Sequence, residues 1–125
     1  MKFTVDKKDK YCIFRLEDEK LNTINAPKLK SELVILNAEG VKNIILDLSQ
    51  VTFVDSSGLS AILIGNRLCN NINGTFVLAA MNDYVSKLIK ISQLESILKI
   101  VPTVKEAEDY VLMEELERDT KEDKD

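Results

Sequence analysis

Residues 43–59 read NIILDLSQVTFVDSSGL, and what they become decides the fold. The run NIILDL is almost continuously apolar. A strand covered on both faces reads this way, because neither face meets water. Further on, Phe53 and Val54 lead into a polar cluster of Asp55, Ser56, Ser57 and Gly58, and apolar residues resume at Leu59. From about Ser57 to Asn71 the spacing predicts a helix. A cluster of this kind can be a helix cap, since serine oxygens accept orphan amide protons and an acid suits the positive helix end. It can also be a working site, because function in α/β sheets collects where strands run out into helices.

Outward from this centre the chain alternates. YCIFRL places Cys12, Phe14 and Leu16 on one face and reads as a strand, hairpinned across DKKDK to a shorter partner around KFTV. In NAPKLKSELVILNAEG, Asn25 is the expected cap, Pro27 fits a first turn and Gly40 follows the end, with Ala26, Leu29, Leu33 and Leu36 facing inward. After the central helix, GTFVLAA predicts a strand and DYVSKLIKI a helix that buries Val85, Leu88 and Ile89. SILKIV predicts a last strand, ended by Pro102. TVKEAEDYVLMEELERD predicts a last helix, capped by Thr103 and burying Val104, Ala107 and Val111. The fold class is therefore α/β, with a mostly parallel central sheet of roughly five strands, the first antiparallel in a hairpin, and four helices. One domain is expected over residues 1–117, followed by an acidic, disordered tail over residues 118–125.

The chain has 125 residues, 45% of them hydrophobic, enough for one core without metal or disulfide staples. Its formal charge of −4 equals the excess of seven acids over three bases from Glu114 onward, so the body is balanced. No basic stripe of the kind nucleic acid requires is present. Cys12 and Cys69 sit in apolar patterns without metal-ligand spacing and read as core thiols in a reducing compartment. No run approaches the ~20 apolar residues that span a bilayer, and MKFTVDKKDK has no signal core; a cytoplasmic protein is expected. The chain contains no histidine. Ser-His-Asp and Cys-His triads and His-ligated metals are thereby excluded, which closes most routes to hydrolytic chemistry; no metal or cofactor is expected.

The central helix adds a second observation. Ala61, Ile62, Ile64, Gly65, Leu68, Cys69 and Ile72 fall on one broad arc, whereas Leu59 and Leu63 stand one turn apart among Asn66, Arg67 and Asn70. Two outward leucines beside a serine predict a docking surface made of Leu59, Leu63, Asn66 and Asn70. Phosphorylating Ser56 would set about −1.5 to −2 charges at its edge. A helix N-terminus accepts an anion, but a partner packed on the leucines meets a hydrated dianion beside Asp55.

The segment LDLSQVTFVDSSGL resembles the signature of the STAS domains, above all the anti-sigma factor antagonists of bacteria. The resemblance extends over nearly the whole chain, through the opening hairpin, LNTINAPKLKSEL and the later strand-helix pairs. It implies a non-enzymatic partner switch. The first serine after the aspartate, here Ser56, is phosphorylated by an anti-sigma factor that is a serine kinase. The unphosphorylated antagonist binds that factor and frees the sigma factor, and a serine phosphatase resets it. In such a site Asp55 supports the phosphoacceptor, Ser57 caps the helix and Gly58 lets the chain turn closely into it. Asn22 stands where many members carry an acid; an amide keeps hydrogen bonding without charge.

Three rivals are weighed against this reading. A phospho-aspartate receiver would use Asp47, but receivers hold magnesium with an acidic pair, and the hairpin offers only solvated acids such as Asp6, Asp9 and Asp18. STAS-type domains also serve in stress-sensing and lipid-transport complexes and as tails of anion transporters; an intact Ser56 favours a phosphorylated regulator. Nucleotide binding lacks a phosphate loop, since Gly40, Gly58, Gly65 and Gly74 are scattered. ATP is therefore assigned to the partner kinase.

Overall fold

The structure, a computed structural model, describes residues 1–123. NIILD forms β4 (Asn43–Asp47), and all five of its residues are buried, as a continuous apolar run demands. To one side lies β2 (Cys12–Leu16), parallel to β4, and outside it β1 (Phe3–Lys7), antiparallel. To the other side lie β6 (Thr75–Ala79) and β7 (Lys99–Val101), both parallel. The sheet order is thus β1-β2-β4-β6-β7. The expected strand SILKIV contracts to its last three residues before Pro102, because Ser96 and Ile97 belong to an exposed turn.

Helices α1 (Ala26–Ala38), α2 (Ser56–Asn71) and α3 (Asp83–Ile91) pack with one face of the sheet; α4 (Val104–Asp123) covers the other. The first face carries the main core, in which Phe14, Leu46, Leu78, Leu29, Leu33 and Ile62 are fully buried. Each such side chain contributes roughly 1.5–3 kcal/mol through loss of apolar contact with water. The second face is smaller: Ile13, Ile45, Val77 and Ala79 meet Ala107 and Val111 of α4. Strand alternation sorts the two sets, since Ile44 and Leu46 point one way and Ile45 the other. Cys12 and Cys69 are buried free thiols; burial pushes their pKa values up to about 11 and about 12, so neither is a reactive thiolate.

Helix ends follow local chemistry. Gly40 sits at φ +93°, with its N–H on Asn37 O (3.0 Å) and that of Val41 on Leu36 O (3.0 Å), a left-handed stop that glycine adopts without a Cβ penalty. Asn82 accepts from the Val85 N–H (2.8 Å), and Thr103 from that of Glu106 (3.1 Å), as caps for α3 and α4. Asn25 does not cap. It holds the N-cap position of α1, but its side chain accepts from Asn22 N–H (2.8 Å) and donates to Lys20 O (2.7 Å). A short loop needs its own hydrogen bonds, and here it takes the amide that the helix would have used.

The C-terminal expectation is corrected. The helix expected to reach Asp119 continues to Asp123, so residues 118–123 are helical where a disordered tail was expected, and Lys124 and Asp125 lie outside the described residues. Arg118 bridges Thr75 Oγ1 (3.0 Å), Asn43 Oδ1 (3.1 Å) and Glu115 Oε1 (2.9 Å). Those bonds tie the helix to the amino ends of β4 and β6, which composition alone does not reveal. Glu115, one of the seven acids counted in the charged end, is buried among them.

Candidate functional site

A two-residue ladder builds the site. β3 (Lys20–Leu21) and β5 (Phe53–Val54) pair in parallel, Lys20 with Phe53 and Leu21 with Val54. The ladder sets two polar stretches side by side, Asn22-Thr23 beyond β3 and Asp55-Ser56 beyond β5. Gly58 is what lets α2 start so close. A Cβ there would lie 2.5 Å from Leu21 O and 2.8 Å from Val54 Cγ1, both part of the packed base.

Asp55, not Ser57, caps α2. Its Oδ1 accepts the Gly58 N–H (2.9 Å) from an extended backbone at φ −101°, ψ −173°. Its Oδ2 accepts both the N–H (3.0 Å) and the hydroxyl (3.2 Å) of Thr23. The Gly58 bond first, then those from Thr23, hold the carboxyl below its ordinary value, so it is an anion at neutral pH. Ser57 turns sideways, its Oγ 3.2 Å from Thr23 Oγ1. An acid two residues earlier, at the N-cap itself, reaches the orphan amide better than a serine already inside the first turn.

Ser56 is therefore the first helical residue, and it is exposed. None of the side-chain hydrogen bonds among the described residues engages its hydroxyl. The N-terminus of α2 lies directly behind it, where amide dipoles favour negative charge. Every neighbour has a structural task, and Ser56 has none.

The expected surroundings are met in part. Asn22 lies one residue from the contact, but its Oδ1 accepts the Ile24 N–H (3.0 Å) within its own loop. Thr23 is the residue that reaches the site, and the sequence reading missed it. A signal was available: Leu21-Asn22-Thr23 and Val54-Asp55-Ser56 are both an apolar residue followed by polar ones, as parallel strand ends would be.

Leu59 and Leu63 are half-buried rather than fully displayed, packed against the main core. Asn66 is buried, 7% exposed, at a cleft that Thr75 and Phe76 also line. Asn70 is exposed as expected. On the arc assigned inward, Ile64 and Leu68 are half-buried and Ile72 is exposed. The reason is that α2 packs both on the sheet and along α1, which widens and rotates its buried arc. Asn66 thus adds nothing to an outer surface.

Asp47 is a strut. It is 3% exposed, paired with Arg15 (2.9 Å), and accepts the Ser49 N–H (2.9 Å). Burial alone would raise its pKa, but the Arg15 and Ser49 bonds outweigh burial and lower it. A carboxylate so engaged is not offered to a phosphoryl donor. Among the described residues no three His, Cys, Asp or Glu side chains gather as a metal site requires. No helix among them is long and apolar enough to cross a membrane.

Residues 2–107 match the STAS domain family. The chain is 30% identical over 80% of its length, and 85% of the relative's, to BtrV of Bordetella bronchiseptica, a protein named as an anti-sigma factor antagonist. A crystal structure from Thermotoga maritima, also named as an anti-sigma factor antagonist, superposes with a TM-score of 0.79 at 29% identity, covering 87% of this chain and 93% of that one. The anti-sigma factor antagonist SpoIIAA, in its unphosphorylated form, shares the fold with a TM-score of 0.70 at 20% identity, over 88% and 97% of the two chains. With its polar turn at the end of a buried sheet, its four helices and its mixed five-stranded order, the chain belongs to the STAS domain family, among the anti-sigma factor antagonists.

Proposed function

We propose that this chain switches partners through phosphorylation of Ser56. Unphosphorylated, it binds an anti-sigma factor that is itself a serine kinase, and so releases a sigma factor. Phosphorylated, it lets that factor go, and a serine phosphatase restores the hydroxyl. ATP stays with the kinase; this chain is the substrate and works in the cytoplasm. The observation that carries the reading is the exposure of Ser56 at the first position of α2, beside neighbours that all have structural work. Support also comes from SpoIIAA, which has been solved in its phosphorylated form as well, on the same fold.

The physics of the switch is local. A phosphate on Ser56 gains the amide dipoles of α2 and loses little to burial. A partner docked on the turn, with the outer parts of Leu59 and Leu63 and with Asn70 at the rim, has to desolvate that dianion beside the Asp55 carboxylate. The fold accepts the charge and the complex does not. Partner capture tests this: Ser56→Ala is expected to bind the anti-sigma factor in the presence of ATP, where the natural chain is released, and Ser56→Asp to bind weakly. Equal retention of all three in ATP would place the switch elsewhere.

A further inference from the structure

Backbone pairing between β3 and β5 ends with the Asp55 N–H on Leu21 O (3.2 Å). Beyond that point one residue, Thr23, ties the two segments together through its N–H and hydroxyl on Asp55 Oδ2 and its contact with Ser57 Oγ. A hydroxyl has a single proton, so the arrangement that satisfies all three groups runs from Ser57 O–H to Thr23 Oγ1, and from Thr23 O–H to Asp55 Oδ2. The carboxylate is thereby divided, with one oxygen on the start of α2 and the other on Thr23. The loop after Thr23 is pinned in turn: Asn22 Oδ1 holds the Ile24 N–H, and Asn25 Oδ1 holds that of Asn22. Ile24 itself is 88% exposed, a large apolar side chain fixed in water on a braced loop.

We propose that Thr23 is a positioning residue: its hydroxyl fixes Asp55 and Ser57 so that the turn bearing Ser56, together with the Ile24 loop, is preformed for the kinase. The inference rests on the reading of Ser56 as phosphoacceptor. Thr23 never meets the phosphoryl group; it raises the fraction of molecules whose turn is ready. Losing a preformed state weakens apparent binding by that fraction and leaves the chemical step alone.

Thr23→Val removes the hydroxyl and keeps both the shape and the backbone N–H. With the anti-sigma kinase and ATP, the variant is expected to show KM raised roughly three- to tenfold, the range one exposed hydrogen bond supplies, with kcat unchanged. Thr23→Ser is expected to restore KM. A partner-free readout accompanies it: in an NMR titration the Asp55 carboxyl moves up toward the ordinary aspartate value in Thr23→Val and returns in Thr23→Ser. An unchanged KM, a fall in kcat alone, or failure of serine to rescue overturns the positioning role. If the natural chain takes no phosphate at Ser56, the phosphoacceptor reading fails by itself. An Asp55 titration that is identical in all three proteins then refutes the Thr23 clip independently.

Discussion

At the amino ends of β4 and β6, Asn43, Glu115, Arg118 and Thr75 lock together in a buried polar network. At the start of α2, Asp55, Ser57 and Thr23 link in an exposed one. In the first, Asn43 uses its whole amide: Nδ2 donates to Lys10 O and Glu115, while Oδ1 accepts from the Thr75 N–H and Arg118. Arg118 Nε alone is left without a partner among these groups, and it is a donor rather than a reactive group; the bonds of Asn43 close gaps between elements. In the second, the same bonding economy leaves one hydroxyl over, that of Ser56, facing solvent on a rigid base. Buried satisfaction makes a joint; partial exposure on a satisfied base makes a site.

Substitutions that act on one cluster and spare the other test that division. The largest effect belongs to Asn43→Ala, which removes four hydrogen bonds from a buried cluster even though the Thr75 N–H keeps Lys42 O and Glu115 keeps Arg118; equilibrium denaturation is expected to show a loss of about 2–4 kcal/mol. Loss of partner binding without loss of stability would show that the buried cluster also serves recognition. Leu59→Ala comes next, at about 1–2 kcal/mol, because the side chain is half-buried against the core. It should weaken partner capture too, and unchanged capture would remove Leu59 from the docking surface.

Acid separates the clusters further. Burial alone raises the Glu115 pKa, but its bonds to Asn43 and Arg118, with Lys42 nearby, outweigh burial and lower it. A carboxyl depressed in the folded state stabilises above its unfolded value, about 4.3 for glutamate, and that contribution is lost as pH falls through the lower folded value. Glu115→Gln is expected to flatten this acid limb in a thermal melt series, and an unaltered limb would deny Glu115 the role. The smallest effect is at Ser56. Ser56→Ala is expected to stay within about 0.5 kcal/mol of the natural chain, as an exposed position with no engaged side chain should.

Much of the architecture was legible in the residues, and the limits have physical causes. NIILD and DYVSKLIKI declared themselves because continuous burial in the one and periodic burial in the other, over five or more residues, leave a pattern. The β3–β5 ladder has two pairs and therefore no period, so the parallel contact that brings Thr23 to Asp55 stayed hidden. At the site, Asp55, Ser56 and Gly58 were readable from local order. The cap went to Asp55 instead of Ser57, a difference of two residues that only backbone angles decide. The surface of α2 was misjudged at Asn66 because helical geometry alone cannot know that this side of α2 turns toward the cleft beside Thr75 and Phe76. The tail assigned from Arg118 onward failed for a similar reason: a charged run carries no sign of the partners that Glu115 and Arg118 meet about seventy residues back in sequence.

The most direct measurement is phosphopeptide mapping after incubation of the whole chain with the anti-sigma kinase and ATP, followed by thermal melting of the product. A single phosphate on Ser56, in a chain that melts close to the unmodified one, is the predicted result. A phosphate carried by Ser57 or Thr23, or a Ser56-phosphorylated chain that has lost its fold, would contradict the account.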